Sequence, residues 1–146
     1  MESKNIALIV GGLIPALLYG FGGVFQKWSA REGGNVSSYL IAFGLATAII
    51  GIVYRIAMAD GPVPTRSIAF AFLAGTVFGV GAGLVSLVII RYNAAISQLS
   101  PLYNLNVLVT VLFGLLIFSE FRDVQVPRLL VGASVILMGG WLVAGA

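Results

Sequence analysis

Any chemistry in this chain falls to amides, hydroxyls and phenols. Tyr19 and Gln26 interrupt the first apolar run. Ser97, Gln98, Ser100, Tyr103, Asn104, Asn106 and Thr110 are set into the stretch SQLSPLYNLNVLVTVLFGLLIFSE, Ser97 to Glu120. Such groups exchange hydrogen bonds with a polar solute but carry no charge of their own. The chain has no histidine and no cysteine, so the usual proton shuttle, the commonest metal ligand and thiolate chemistry are missing. Its carboxylates, Glu2, Glu32, Asp60, Glu120 and Asp123, fall near or beyond the ends of apolar runs. None falls at the middle of one, where an ionisable group would point to a proton relay or a cation site. Scattered serines without a base are not nucleophiles. The expectation is a protein that is not an enzyme and needs neither metal nor cofactor.

The elements that must position these side chains follow from composition. Of 146 residues, 60% are apolar and 9% charged, and the mean hydropathy is +1.07. A soluble domain needs far more charge to cover its surface. The charges collect between the apolar runs, as they do in a polytopic membrane protein whose helices need about 20 apolar residues each to cross the hydrocarbon. The runs extend from about Ile6 to Trp28, Val36 to Tyr54, Ser67 to Ile90, Ser97 to Phe118 and Val126 to Gly145. The expected fold is an all-α integral membrane protein, a single domain over 1–146 made of a bundle of five transmembrane helices. MESKN lacks a basic region and a cleavage site, so the first run reads as a retained span and not a signal peptide. Lys4, Arg55, Arg66, Arg122 and Arg128 fall on the N-terminal side of the membrane, and Lys27, Arg31 and Arg91 on the other, a weak bias towards a cytoplasmic N-terminus. The net charge of +3 suits anionic headgroups of the lipid bilayer and is too small and scattered for nucleic acid.

On one continuous helix, Ser97, Ser100, Pro101 and Asn104 share an arc, and Tyr103, Asn106 and Thr110 share another. Interhelical hydrogen bonding can use one such stripe, and two leave one to line a polar cavity. Gly11, Pro15, Tyr19, Gly22 and Gln26 share a face of the first run and supply an opposite wall. Pro15 frees a backbone carbonyl there, and glycines permit a bend. Small-residue ladders, Gly12, Ala16 and Gly20 on the first run and Ala71, Gly75, Gly79 and Gly83 on the third, let backbones approach closely, with Gly132 and Gly140 a looser version on the fifth. Glu120 reads as an interfacial carboxylate neutralised by Arg122 or Arg128. Lys27 with Trp28 and Arg91 with Tyr92 read as interfacial anchors.

YGFGGVFQK, Tyr19 to Lys27, resembles the first-span signature of the EamA-like domain of the drug/metabolite transporter (DMT) superfamily. QLSPLYNLNVLVTVLFGLLIFSE is similar to that domain's fourth span, and LLVGASVILMGGWLV, with Gly132 and Gly139, looks like its fifth. The chain departs from the pattern at Tyr19, where tryptophan is usual, and at Ser119, where glycine precedes the acid. Its second span also lacks an arginine that many members carry. The resemblance implies one DMT-type repeat of half length, multi-pass in a bacterial inner membrane. It implies alternating access with a small-molecule substrate at the midplane, bound by Tyr19, Gln26, Ser100, Tyr103, Asn104 and Asn106. Related small multidrug exporters couple to protons through a first-span glutamate. This first span has no acid, which points away from proton-coupled drug export and towards neutral or zwitterionic solutes of the sugar or amino-acid class. Full-length members carry two inverted units, so the expected working form is a homodimer, antiparallel or parallel, or a pair with a second half-length subunit. The alternative is a lipid-carrier flippase or an accessory membrane subunit.

Overall fold

The computed structural model describes residues 6–59, 61–122 and 124–145; Glu2, Lys4, Asp60 and Asp123 lie outside them. The protein is 86% helical, with no strand among the described residues. Among the described residues, five helical stretches are long and apolar enough to cross a membrane: Ile6–Arg31, Val36–Met58, Thr65–Tyr92, Ile96–Ile117 and Val126–Ala144. They match the five apolar runs to within a few residues at each end. The chain forms two compact units, one through Asn93 and one from Ala94.

The first unit holds three spans. The first contains a π-helical turn, Ile9–Leu13, that leads into helix α1, Ile14–Arg31. The Ile14 N–H reaches Ile9 O, five residues back. Pro15 explains the wide turn: it has no N–H for the Gly11 carbonyl and its ring crowds that group, so the helix widens just before it. α1 closes on two glycines. Gly33 adopts φ +83°, the Gly33 N–H reaches Ala30 O at 3.3 Å and the Gly34 N–H reaches Ser29 O at 2.9 Å. This pairing satisfies the last carbonyls of a helix. A Cβ on Gly34 would lie 2.6 Å from Ser29 O, so the turn demands glycine there.

Asn35 then opens helix α2, Val36–Met58, with a reciprocal cap. Its Oδ1 accepts from the Ser38 N–H at 2.8 Å, and Ser38 Oγ accepts from the Asn35 N–H at 3.1 Å. Cap and turn together end α1 and start α2, and helix α3, Thr65–Tyr92, packs on both α1 and α2. Arg31, Arg55 and Arg91 occupy the last turns of α1, α2 and α3. There each complements the helix dipole as well as the membrane edge.

The packing of this unit is concentrated at one end, at Gly23, Gln26, Gly83, Ser86 and Ile89. Ile89 is the one buried apolar side chain among the described residues, and α2 buries none. Exposed apolar side chains elsewhere on these helices suit lipid, which solvates them as well as a protein core would. Of the third-span ladder, only Gly83 is closely packed, its Cβ position 3.2 Å from Leu40 Cδ1. Gly75 and Gly79 have nothing within 4 Å, and neither do Gly12 and Gly20 of the first span.

The second unit comprises helix α4, Ile96–Tyr103, helix α5, Asn106–Ile117, a 3-10 turn, Glu120–Arg122, and helix α6, Val126–Ala144. α4 packs on α6. The contact is made at Gly140, where an added Cβ would lie 3.2 Å from Leu105 Cδ2 and 3.4 Å from the Pro101 carbonyl oxygen. Gly139 and Gly132 have nothing within 4 Å. Pro127 stands in the first turn of α6, where its missing N–H costs least.

Candidate functional site

The fourth span is not one continuous helix. α4 ends at Tyr103, Asn104 and Leu105 form a turn, and α5 begins at Asn106. The Leu105 N–H goes to Leu102 O at 3.1 Å, the Val107 N–H to Asn104 O at 3.1 Å and the Leu108 N–H to Leu105 O at 3.0 Å. These are three-residue steps in place of the four-residue steps of an α-helix, so the segment tightens. Pro101 lies inside α4 and withholds a donor from the Ser97 carbonyl, and Asn104 places a competing polar side chain at the break. The two polar arcs laid out for an unbroken helix therefore do not persist through it. Ser97, Ser100 and Tyr103 belong to α4, Asn104 to the turn, and Asn106 and Thr110 to α5.

Around the break, Ser100 is half-buried, and Tyr103, Asn104 and Asn106 are exposed. The Asn104 N–H caps α4 on Ser100 O at 3.1 Å. Thr110 Oγ1 donates to Asn106 O at 3.2 Å, which takes the Thr110 proton out of play. Of the expected ligand residues, Tyr103 and Asn106 thus flank a stretch of irregular backbone and Asn104 lies in it. Within a membrane such backbone is stable only against protein or a water-filled cavity.

In the first unit, Tyr19 and Gln26 lie on one face of α1, about 10 Å apart along its axis. Tyr19, near the centre of its span, is 78% exposed. Gln26 is only 8% exposed and lies towards the C-terminal end of α1. Its Nε2 donates to Ser86 Oγ at 2.8 Å and to Ala82 O at 3.2 Å, both on α3. Ser86 and Ala82 escaped the reading of the sequence. A lone serine in GLVSLVII, three residues beyond Gly83, was the available signal. Lys27 Nζ, one residue on, donates to Asn93 Oδ1 at 2.9 Å, joining the ends of α1 and α3.

Glu120 folds back over α5, with its Oε2 2.7 Å from the position of a Cβ on Gly114. The Arg122 guanidinium stands 5.8 Å from the centre of the Phe121 ring. Ser119, between α5 and Glu120, has φ +57°.

Five spanning helices, amides and hydroxyls set into them, and charges at their ends define the class: a multi-pass helical membrane protein. Comparison of the chain with protein-family models, with curated proteins and with solved structures finds no match.

Proposed function

We propose that this protein is a transporter of small neutral or zwitterionic metabolites, of the sugar or amino-acid class, in a bacterial inner membrane. In this reading the five spans are one DMT-type repeat, and two such units, antiparallel in a homodimer, make the working carrier by alternating access. The observation that carries the reading is the interrupted fourth span. Transporters bind solutes at discontinuous helices, where backbone groups and nearby amides replace the hydration a solute gives up. Here the interruption falls between Tyr103 and Asn106, with Asn104 in it. The π-helical turn before Pro15 adds a second irregularity, in the first span.

The test is solute uptake into proteoliposomes by wild type, Asn104→Ala and Asn106→Ala. Loss of about tenfold or more in at least one variant is expected, since a desolvated amide pair contributes on the order of 1–3 kcal/mol when its partner would otherwise go unpaired. Uptake at the wild-type rate in both variants would rule out this site.

A further inference from the structure

We infer that the first span offers its solute a hydrogen-bond acceptor at the Gln26 side-chain oxygen, and that this subsite takes a neutral hydroxyl; the inference rests on the transport reading above. A glutamine amide has two N–H groups and one carbonyl. Both N–H groups are committed to α3, to Ser86 Oγ at 2.8 Å and to Ala82 O at 3.2 Å. The second partner fixes the orientation of the amide. A backbone carbonyl can only accept, so nitrogen must face it and Oε1 must point away from it. Gln26 is 8% exposed and Ser86 2%, so the arrangement is held in a nearly dry setting.

No donor among the described residues is bonded to Oε1, yet Oε1 is not a fully enclosed atom without a partner. It therefore opens at the surface of the first unit as an acceptor waiting for a donor. An acceptor of this kind discriminates strongly, because a solute that displaces water without supplying a donor leaves it unpaired.

The donor's charge follows from the neighbour. The Lys27 ammonium lies one residue further along the chain, held by Asn93 Oδ1 at 2.9 Å. A solute ammonium at Gln26 would be repelled by that positive charge, whereas a hydroxyl would not. Ser86 acts through Gln26 and is a positioning residue.

Uptake of sorbitol, alanine and glycine betaine into proteoliposomes separates the cases, since these carry hydroxyl donors, an ammonium donor and no donor respectively. Wild type is expected to take up sorbitol at least about tenfold faster than glycine betaine, with alanine below sorbitol. Ser86→Ala leaves Ala82 O holding one N–H and releases the other, so the betaine-to-sorbitol ratio should rise severalfold. A change of packing alone would lower both rates together. Equal wild-type uptake of sorbitol and betaine, or faster uptake of alanine than of sorbitol, overturns the acceptor subsite and leaves the transport reading standing. No uptake of any of the three overturns the transport reading and the subsite with it. The wild-type comparison needs no variant, so it decides the matter even if Ser86→Ala does not fold.

Discussion

Ser119, between α5 and Glu120, holds a backbone conformation that is costly for a residue with a Cβ. Its φ of +57° is a left-handed conformation, which costs a residue with a Cβ roughly 1–2 kcal/mol. A glycine before Glu120 would remove that cost, and the serine accepts it. Ser119→Gly is therefore expected to raise stability by roughly 1 kcal/mol, less what the freer unfolded chain takes back. An unfolding titration of the detergent-purified chain measures it. Asn93, with φ +49°, is different. Asparagine tolerates that conformation better than most residues, and its side chain also accepts from Lys27. Asn93→Gly should keep the turn and lose the link, whereas Asn93→Ala should lose both and be the less stable of the two in the same titration.

Gly140 and its neighbour Gly139 differ at the level of elements, because the first is where α6 meets α4 and the second faces nothing within 4 Å. At Gly140 the atom 3.4 Å from an added Cβ is the Pro101 carbonyl oxygen, which belongs to backbone and cannot rotate away. Gly140→Leu should separate α6 from α4 at a cost of about 1–3 kcal/mol, while Gly139→Leu should cost little. A helix-to-helix crosslink between introduced cysteines at positions 97 and 144 would report the difference. The interruption of the fourth span is a second element-scale feature. Pro101→Ala restores an N–H four residues beyond Ser97 and removes the ring that crowds its carbonyl. The expected outcome is a straighter fourth span, with slower amide exchange at Leu105 and Asn106 and a loss of uptake. Unchanged exchange at both amides would mean that Asn104, not the proline, maintains the break.

For the molecule as a whole, the small excess of lysines and arginines on one side matters most. Five against three is little to hold one orientation, since topology follows the difference in basic charge between the two sides. An antiparallel homodimer predicts that reporters fused to the C-terminus are active on both sides of the membrane. Activity from one side alone would eliminate that dimer and leave a parallel pair or a second half-length subunit. Arg55→Gln together with Arg66→Gln removes the excess, leaving three against three, and should bring the two reporter signals closer to equal.

Much of this protein was legible without coordinates. The five spans, their ends and the irregularity near Pro15 follow from hydropathy and from proline's missing N–H, which act over a few residues. The turn between α1 and α2 is equally local, written in Gly33, Gly34, Asn35 and Ser38. What distance along the chain concealed was decided by tertiary packing. Gln26 and Ser86 lie sixty positions apart, and only the docking of α1 on α3 turns an open candidate ligand into one with its nitrogen committed. Small residues along a helix permit close approach at every step of a ladder, but packing uses Gly83 and Gly140 and passes over Gly75, Gly79 and Gly132. The two arcs on the fourth span assumed a steady 100° per residue, and the shift to three-residue hydrogen bonds at Leu105, Val107 and Leu108 broke that assumption. Hydrophobicity and backbone chemistry act locally and determine which segments become spanning helices. Which faces of those helices meet depends on contacts between residues far apart in sequence, and only the folded structure decides it.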